Sequence, residues 1–296
     1  MMATTRAAKV TWSGGEYSRE DLMKMEPDVL RGLLHERTHH TIEVPLYPTL
    51  LKWRGQPIPS FGEQAQMCYE VWCDRGLTDT AENIQWVKKY LAIAKEVRAG
   101  KKPDVDEPLP TPFTPSEMAA VKKLIYGRRS YRDYLDKPIP EDMLQTILEA
   151  GRAAPIGCNL GHVRFIVLRT PEEREMIWSD IATRHCGCII VICHDKRVAP
   201  VVGQDQRVPQ NAGFDSAAAG DHMLLMAHAL GLGGCWLSER HGIKDTAQMF
   251  KEKYGLPDYI EPDLHIILGY PAIGIIKSAR TPLQDMMIMM IEKPRK

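Results

Sequence analysis

The chain has no excess of charge of either sign. Its 296 residues carry 38 Lys and Arg against 38 Asp and Glu, a formal net charge of zero. Proteins that hold nucleic acid or rest on a membrane surface depend on basic patches, so the balance argues against both. Long apolar runs are missing too. The longest, Cys188–Cys193 and Met286–Ile291, fall far short of the roughly 20 residues that a bilayer-spanning helix needs. Residues 1–10 lack the apolar segment of a secretory leader, and the chain is expected to be soluble and cytoplasmic. Among seven cysteines no two form a CxxC pair and no spacing repeats. That argues against a disulfide framework, a structural zinc and an iron–sulfur centre, and it fits free thiols in a reducing compartment. With 44% apolar and 26% charged residues, the composition is that of an ordinary globular protein, long enough for one large domain or two small ones.

What is present is concentrated between Thr114 and Asn159. Thr114-Pro115-Ser116-Glu117 reads as a helix start, with Thr at the N-cap, Pro at N1 and Glu at N3 completing a capping box. Met118, Val121, Leu124 and Ile125 recur at helical spacing and predict one buried face. The helix runs out at Gly127 and delivers Arg128-Arg129-Ser130-Tyr131-Arg132, three guanidiniums and a hydroxyl within five residues. A second helix opens at Pro140-Glu141-Asp142, with Met143, Leu144, Ile147 and Leu148 as its apolar stripe. It ends near Gly151, and Ala153–Asn159 then leads to a strand over Arg164–Leu168. Guanidiniums at one turn have two readings. Each offers a planar fork that pairs with phosphate oxygens, or they complement the negative end of the preceding helix.

Upstream, a loose arm over residues 1–17 is followed by a helix over 18–36, an extended Pro-rich connection over 41–59 and two helices starting near Ser60 and Thr80. Ser60-Phe61-Gly62-Glu63 reads as another capping box. Met67, Cys68, Val71 and Trp72, and then Ile84, Val87, Leu91 and Ala94, form stripes expected in a core or an interface. His35-Glu36-Arg37-Thr38-His39 matches HExxH, the pattern of a zinc hydrolase. It falls at a helix end with no third ligand at a recognised spacing, so a polar helix end is the expected role. The prolines at 103, 108, 110 and 112 make 99–113 a linker. The division expected is therefore 1–98 helical extension, 99–113 linker and 114–296 main domain. In that last part, helices are predicted from Thr170 through Ile181, over Asp215–Leu230 and over Asp245–Tyr254. Strands are predicted over Cys188–Cys193, Gly234–Leu237 and Leu264–Leu268, a loop or lid over His194–Asn211, and an apolar tail over Leu283–Ile291.

Four segments occur together in one order: Arg128–Arg132, Ala154–Asn159, Ala229–Trp236, and Leu268-Gly269-Tyr270-Pro271 followed by Arg280–Leu283. In that order and spacing the chain from about residue 114 onward resembles the FMN-dependent nitroreductase family. The resemblance implies an α+β fold, a sheet flanked by helices in an obligate homodimer, here with an N-terminal helical extension. It implies FMN as tightly bound cofactor and NAD(P)H as reductant of a small organic acceptor such as a nitroaromatic or quinone, by ping-pong transfer. By position, Arg128 and Arg280 would hold the phosphate, with Arg129 and Ser130 at the ribityl–phosphate or ring edge. Arg132 would face the N1–C2 edge of the ring. Asn159, following Pro155, Ile156 and Gly157, would meet the pyrimidine edge, and the backbone of Trp236, Leu237 and Ser238 would lie beside the hydride-bearing nitrogen. Lys277 stands near the phosphate group in sequence. The chain departs from the family pattern at Ile156, where a small hydroxyl residue or Gly is usual, and at Leu160-Gly161-His162-Val163. His162 is a candidate acid, but no catalytic residue is assigned. A specialised reductive dehalogenase and a flavin-binding protein without turnover are the other readings the resemblance leaves open.

Overall fold

In a computed structural model of the chain, residues 9–12, 15–105, 107–174, 185–238 and 246–287 are described. The first described residues form a hairpin rather than a loose arm. Strand β1 (Lys9–Trp12) pairs antiparallel with β2 (Gly15–Ser18), and Val10 is completely buried. Helix α1 (Arg19–Lys24) is capped by Ser18, whose side chain accepts the Asp21 N–H while the Asp21 carboxylate accepts the Ser18 N–H. The single helix expected over 18–36 is two helices. The backbone turns extended at Met25 and Glu26, and Pro27 takes the first position of α2 (Pro27–Thr38), where its missing N–H costs nothing.

The stretch expected to be an extended connection is largely helical. Helix α2 continues through one wider π-type turn (His39–Glu43) into α3 (Val44–Leu51). Pro45 lies in the first turn of α3, and Ile42 and Leu46 are fully buried, so tertiary burial overrides the local Pro signal. Helices α4 (Glu63–Asp74) and α5 (Glu82–Arg98) complete this layer. The capping box expected at Ser60 does not form. Gly62 occupies the N-cap at φ 70°, and a Cβ there would lie 2.7 Å from Ile42 and 3.0 Å from Ala94.

Helix α6 (Pro115–Gly127) begins with the predicted Thr114 capping box, and α7 (Glu141–Arg152) follows. The main sheet has β3 (Val163–Leu168), β4 (Cys188–Asp195), β5 (Gly233–Ser238) and β6 (Ile260–Gly269) in the order β3-β4-β6-β5, antiparallel throughout. Between β3 and β4 lies α8 (Pro171–Arg174); the rest of the helix expected through Ile181 lies outside the described residues. The segment expected as a lid carries a 3-10 turn (Ala199–Val202) and α9 (Gln204–Arg207). Then come α10 (Asn211–Ala229), α11 (Thr246–Tyr254) and, after β6, the exposed α12 (Leu283–Met286); residues 288–291 of the expected tail lie outside the described residues.

Alternation along the strands decides the packing. Cys188, Ile190 and Ile192 of β4 and Leu264, Ile266 and Leu268 of β6 face α7 and α10, whereas Ile189, Val191, Cys193 and Ile267 join Phe250 on the other face. Both faces are covered, which is why these strands read as continuous apolar runs. A third core gathers Leu30, Leu33, Leu34, Cys68, Trp72, Ile84 and Leu91 of the N-terminal helices with Leu160, Val198, Val201 and Val202 from the main part. A Cβ on Gly32 would meet Val198 at 2.3 Å and the Leu160 carbonyl at 3.3 Å, so the backbone of α2 lies directly against those residues.

Candidate functional site

The arginine turn is tied to the edge of the sheet. Tyr131 donates its N–H to the Gly234 carbonyl at 3.2 Å, and Ser130 and Gly234 form an isolated parallel bridge. Tyr134 anchors the turn from behind by donating to the Tyr131 carbonyl at 2.6 Å and bridging to Pro271. Gly233 and Gly234 are required here. A Cβ on Gly233 would lie 2.8 Å from Tyr131, and one on Gly234 2.5 Å from Leu224.

Arg128, Arg129, Ser130, Lys277 and Arg280 line one cleft of about 220 Å³ with Ile125, Tyr126 and Ser278. The structure thus brings together residues 150 positions apart that the sequence reading placed around a phosphate. Among the described residues none of its four cations pairs with a carboxylate, and no acidic residue lines the cleft. The four differ in their present engagement. Arg129 donates to the carbonyls of Tyr126, at 3.2 Å, Gly127, and Arg128, at 3.2 Å, and so closes the C-terminus of α6. For this residue the helix-end role is realised. Arg280 touches only its neighbour's carbonyl at 3.0 Å, and Lys277 lies 5.8 Å from the ring centre of Tyr126. The Arg128 guanidinium makes no hydrogen bond among the described residues. Arg132 is exposed, bonds the Ser130 carbonyl at 3.3 Å and does not line the cleft.

Trp236, Leu237 and Ser238 continue along β5, the outer strand of the sheet. From Gly234 to Leu237 is about 10 Å of strand. Among the described residues no further strand pairs with the outer edge of β5 beyond the bridge to Ser130, although the Cys235 thiol donates to the Trp236 carbonyl at 3.5 Å, so this edge can be approached by a ligand that starts at the cation cleft.

Pro155, Ile156, Gly157 and Asn159 are not brought to that cleft. Gly157 donates its N–H to Asp215 at 3.0 Å, beside the first turns of α10. The arginine turn lies at the other end of the helix, where a Cβ on Gly127 would meet His228 at 2.6 Å. Asp215 and His228 are separated by about 20 Å of helical rise. The 155–159 loop is strained. Cys158 (φ 54°) and Asn159 (φ 53°) both adopt the left-handed conformation, at a cost on the order of 1 kcal/mol each. Bonds from two elements hold it: Gly157 donates to Asp215, and Gln204 to the Cys158 sulfur at 3.3 Å.

His162, the candidate acid, is 1% exposed, and burial with the nearby His194 and Arg164 charges pulls it down to about 4. Its Nε2 lies 3.3 Å from Asp215, and among the described residues neither ring nitrogen has hydrogen-bond geometry to a partner. It is a neutral interior side chain, not an accessible acid. The HExxH residues are likewise engaged with one another's neighbours. His35 meets Asn83 at 2.9 Å, His39 meets Glu43 at 2.7 Å, and Glu36 binds Arg37 at 2.5 Å and His40 at 3.0 Å. Among the described residues no cluster of three or more metal-ligating side chains occurs, and no helix is long and apolar enough to cross a membrane.

Sequence reasoning missed Tyr126 and Ser278 in the cleft, and Asp215 behind the loop. The first two adjoin called residues; the last has no local signal, because only the tertiary contact gives it a role.

Residues 125–185 and 179–270 match the model of the Nitroreductase family. A protein of Methanothermobacter thermautotrophicus, named as a candidate NADH dehydrogenase/NAD(P)H nitroreductase, is 32% identical over 51% of this chain and 78% of its own length. The FMN reductase [NAD(P)H] of Bacillus subtilis is 26% identical over 56% of this chain and 71% of its own. Among solved structures, nitroreductase A of Vibrio parahaemolyticus covers 59% of this chain and 76% of its own at 25% identity, with a TM-score of 0.50.

Proposed function

The chain belongs to the nitroreductase family, and from that premise we propose that it is an NAD(P)H-dependent FMN oxidoreductase that reduces a small organic acceptor by ping-pong transfer. The observation that carries the reading is the cleft of four cations that have no carboxylate partner among the described residues. A phosphate monoester brings a charge of about −1.5 to −2 and three acceptor oxygens, which such a cluster is suited to receive. The names of relatives, an FMN reductase [NAD(P)H] and an NADPH-flavin oxidoreductase, support the same chemistry.

Bound FMN would supply hydride acceptance and donation. Arg128 and Arg280 would grip the phosphate, with Ser130 and Lys277 alongside, while Arg129 holds the turn in shape. The outer edge of β5 around Leu237 and Ser238 would lie against the reactive part of the ring. Arg132, outside the cleft but on the same turn, would place its charge toward the N1–C2 edge.

The protein is proposed to work as a homodimer with two sites at the interface. Two observations support it. Asn159 and the cation cleft stand at opposite ends of α10, so one chain does not close the site. Helix α6 has no buried residue, with Met118 41% and Ile125 54% exposed, and Ile276 is 95% exposed. An amphipathic helix with its apolar face open calls for a partner, and a second copy would cover it and supply Asn159 to the other chain's cleft. A cytoplasmic location accords with the free cysteines.

The test is the spectrum of the purified protein and the identity of any released cofactor. About one FMN per chain, bleached by reduced nicotinamide and restored by a nitroaromatic, is expected. A protein that neither contains nor binds FMN would overturn the proposal.

A further inference from the structure

The buried carboxyl of Asp215 has one hydrogen-bond partner among the described residues, and that partner belongs to the loop that carries Asn159. Asp215 is 6% exposed and sits early in α10. Its Oδ1 accepts the Gly157 N–H at 3.0 Å, while Oδ2 makes no hydrogen bond and lies 3.3 Å from His162 Nε2. Taking a carboxyl out of water is costly, and here the compensating hydrogen bond goes to the loop. Asn211 stands one helical turn before Asp215 on the same face of α10, and Gln204 comes from α9. A Cβ on Gly157 would lie 2.8 Å from the Asn211 amide nitrogen, 3.0 Å from that of Gln204 and 3.5 Å from Asp215 Oδ2. Three polar side chains thus close on this glycine.

The backbone bonds at Asn159 and Leu160 stay within the loop. Asn159 donates its N–H to the Ile156 carbonyl at 3.1 Å, and Leu160 donates to the Gly157 carbonyl at 3.3 Å, around a single 3-10 turn. Inside that turn Cys158 and Asn159 are both left-handed, a conformation that such residues keep only where the surroundings impose it. The Gly157 N–H ties the turn to α10. The Asn159 side chain is half-buried, and its amide makes no hydrogen bond among the described residues, so that amide is free for a ligand.

We propose that Asp215 is a positioning residue of the flavin site: by holding the Gly157 N–H it fixes the left-handed turn in which Asn159 presents its amide to the pyrimidine edge of FMN. This rests on the flavin reading of Asn159. Asp215 acts through Asn159 and touches no part of the ring itself. In the proposed homodimer α10 then serves two sites. Its C-terminal end lies beside the arginine turn of its own cleft, and its N-terminal end holds the Asn159 offered to the partner's cleft. Without the acceptor the Gly157 N–H is left unpaired, residues 157–159 relax toward ordinary backbone, and the amide turns away. The effect falls on flavin binding and on the flavin's electronic environment.

The experiment titrates FMN into the flavin-free full chain and records the visible spectrum of the complex. The proteins are wild type, Asn159→Ala, Asp215→Ala, the double variant and Asp215→Asn, with Arg128→Ala as a phosphate-side control. Loss of the hydrogen bond in Asp215→Ala is expected to weaken FMN about tenfold and to shift the flavin bands. Asp215→Asn keeps an acceptor for the Gly157 N–H and is expected to restore both. Because Asp215 acts through Asn159, the double variant is expected to bind FMN no more weakly than Asn159→Ala alone, whereas a general packing role would add its own loss. Wild-type affinity and spectrum in Asp215→Ala or in Asn159→Ala would overturn the proposal. So would equal losses in Asp215→Ala and Asp215→Asn, or additive losses in the double variant. If Asp215→Ala does not fold, Asp215→Ser, whose hydroxyl ends one bond short of the Asp oxygens, takes its place under the same outcomes. Wild-type protein that takes up no FMN removes the flavin reading and this one with it. FMN binding that Arg128→Ala abolishes and Asp215→Ala leaves intact removes this one alone.

Discussion

Tyr131 and Gly234 are joined by one backbone hydrogen bond of 3.2 Å, and through it the arginine turn is set at the start of the outer strand of the sheet. The cation cleft and the open strand edge become one continuous surface because of that contact. Its neighbour Gly233 makes the approach possible.

Gly233→Ala is therefore expected to displace the turn. The added methyl would stand 2.8 Å from Tyr131 and 2.9 Å from Pro271, and overpacking of this kind costs about 1–3 kcal/mol. Denaturant unfolding should show that loss, and FMN titration should show weaker binding although every cation is retained.

The cations of the cleft should separate by role. Arg128→Ala and Arg280→Ala remove charge-assisted contacts and are expected to weaken FMN by at least about tenfold, the deficit shrinking as salt is raised. Arg129→Ala should act first on stability, by up to about 1 kcal/mol, because its guanidinium closes the end of α6. Thermal unfolding of the flavin-free proteins, beside their FMN affinities, distinguishes the two patterns.

The exposed apolar faces give a prediction about assembly. Met118→Asp with Ile276→Asp puts two charges on surfaces now 41% and 95% exposed. Sedimentation equilibrium is expected to show monomers where wild type is dimeric, with secondary structure retained and FMN lost. A double variant that stays dimeric would place the interface elsewhere.

Acid should destabilise the fold over a defined window. His35 and His162 are held neutral down to about 4, whereas both titrate near 6.5 in the unfolded chain. Between these values the unfolded chain binds protons that the folded chain does not, so stability falls as pH drops from about 6.5 to about 4. Above the window neither histidine contributes a slope. The free energy of unfolding of His162→Leu should fall less steeply across this range than that of wild type, whatever its absolute stability.

Much of the fold was legible locally. The Thr114 capping box, the apolar run of β4 and the helices α7, α10 and α11 follow from side-chain period and cap chemistry, which act within a few residues. The cation cleft was legible because guanidiniums advertise their chemistry wherever they stand. Misreadings came where burial overrode local preference. Pro45 and Pro48 suggested an extended connection, yet the burial of Ile42 and Leu46 holds that stretch helical. Ser60 offered a cap, but Gly62 took the position because its neighbours leave no room for a Cβ.

The sequence alone determined the four strands of the main sheet, the capped helix before the arginine turn, and the kind of ligand that turn suits, since periodicity, capping and charge type are properties of neighbouring residues, whereas the β1–β2 hairpin was read as a loose arm. Only the tertiary structure decided which arginine serves the helix end and which is free, that the Asn159 loop and the arginine turn stand at opposite ends of α10, and that α2 packs against Leu160. Those relationships join residues up to 150 positions apart, and no local pattern encodes a contact that exists only after the layers have packed.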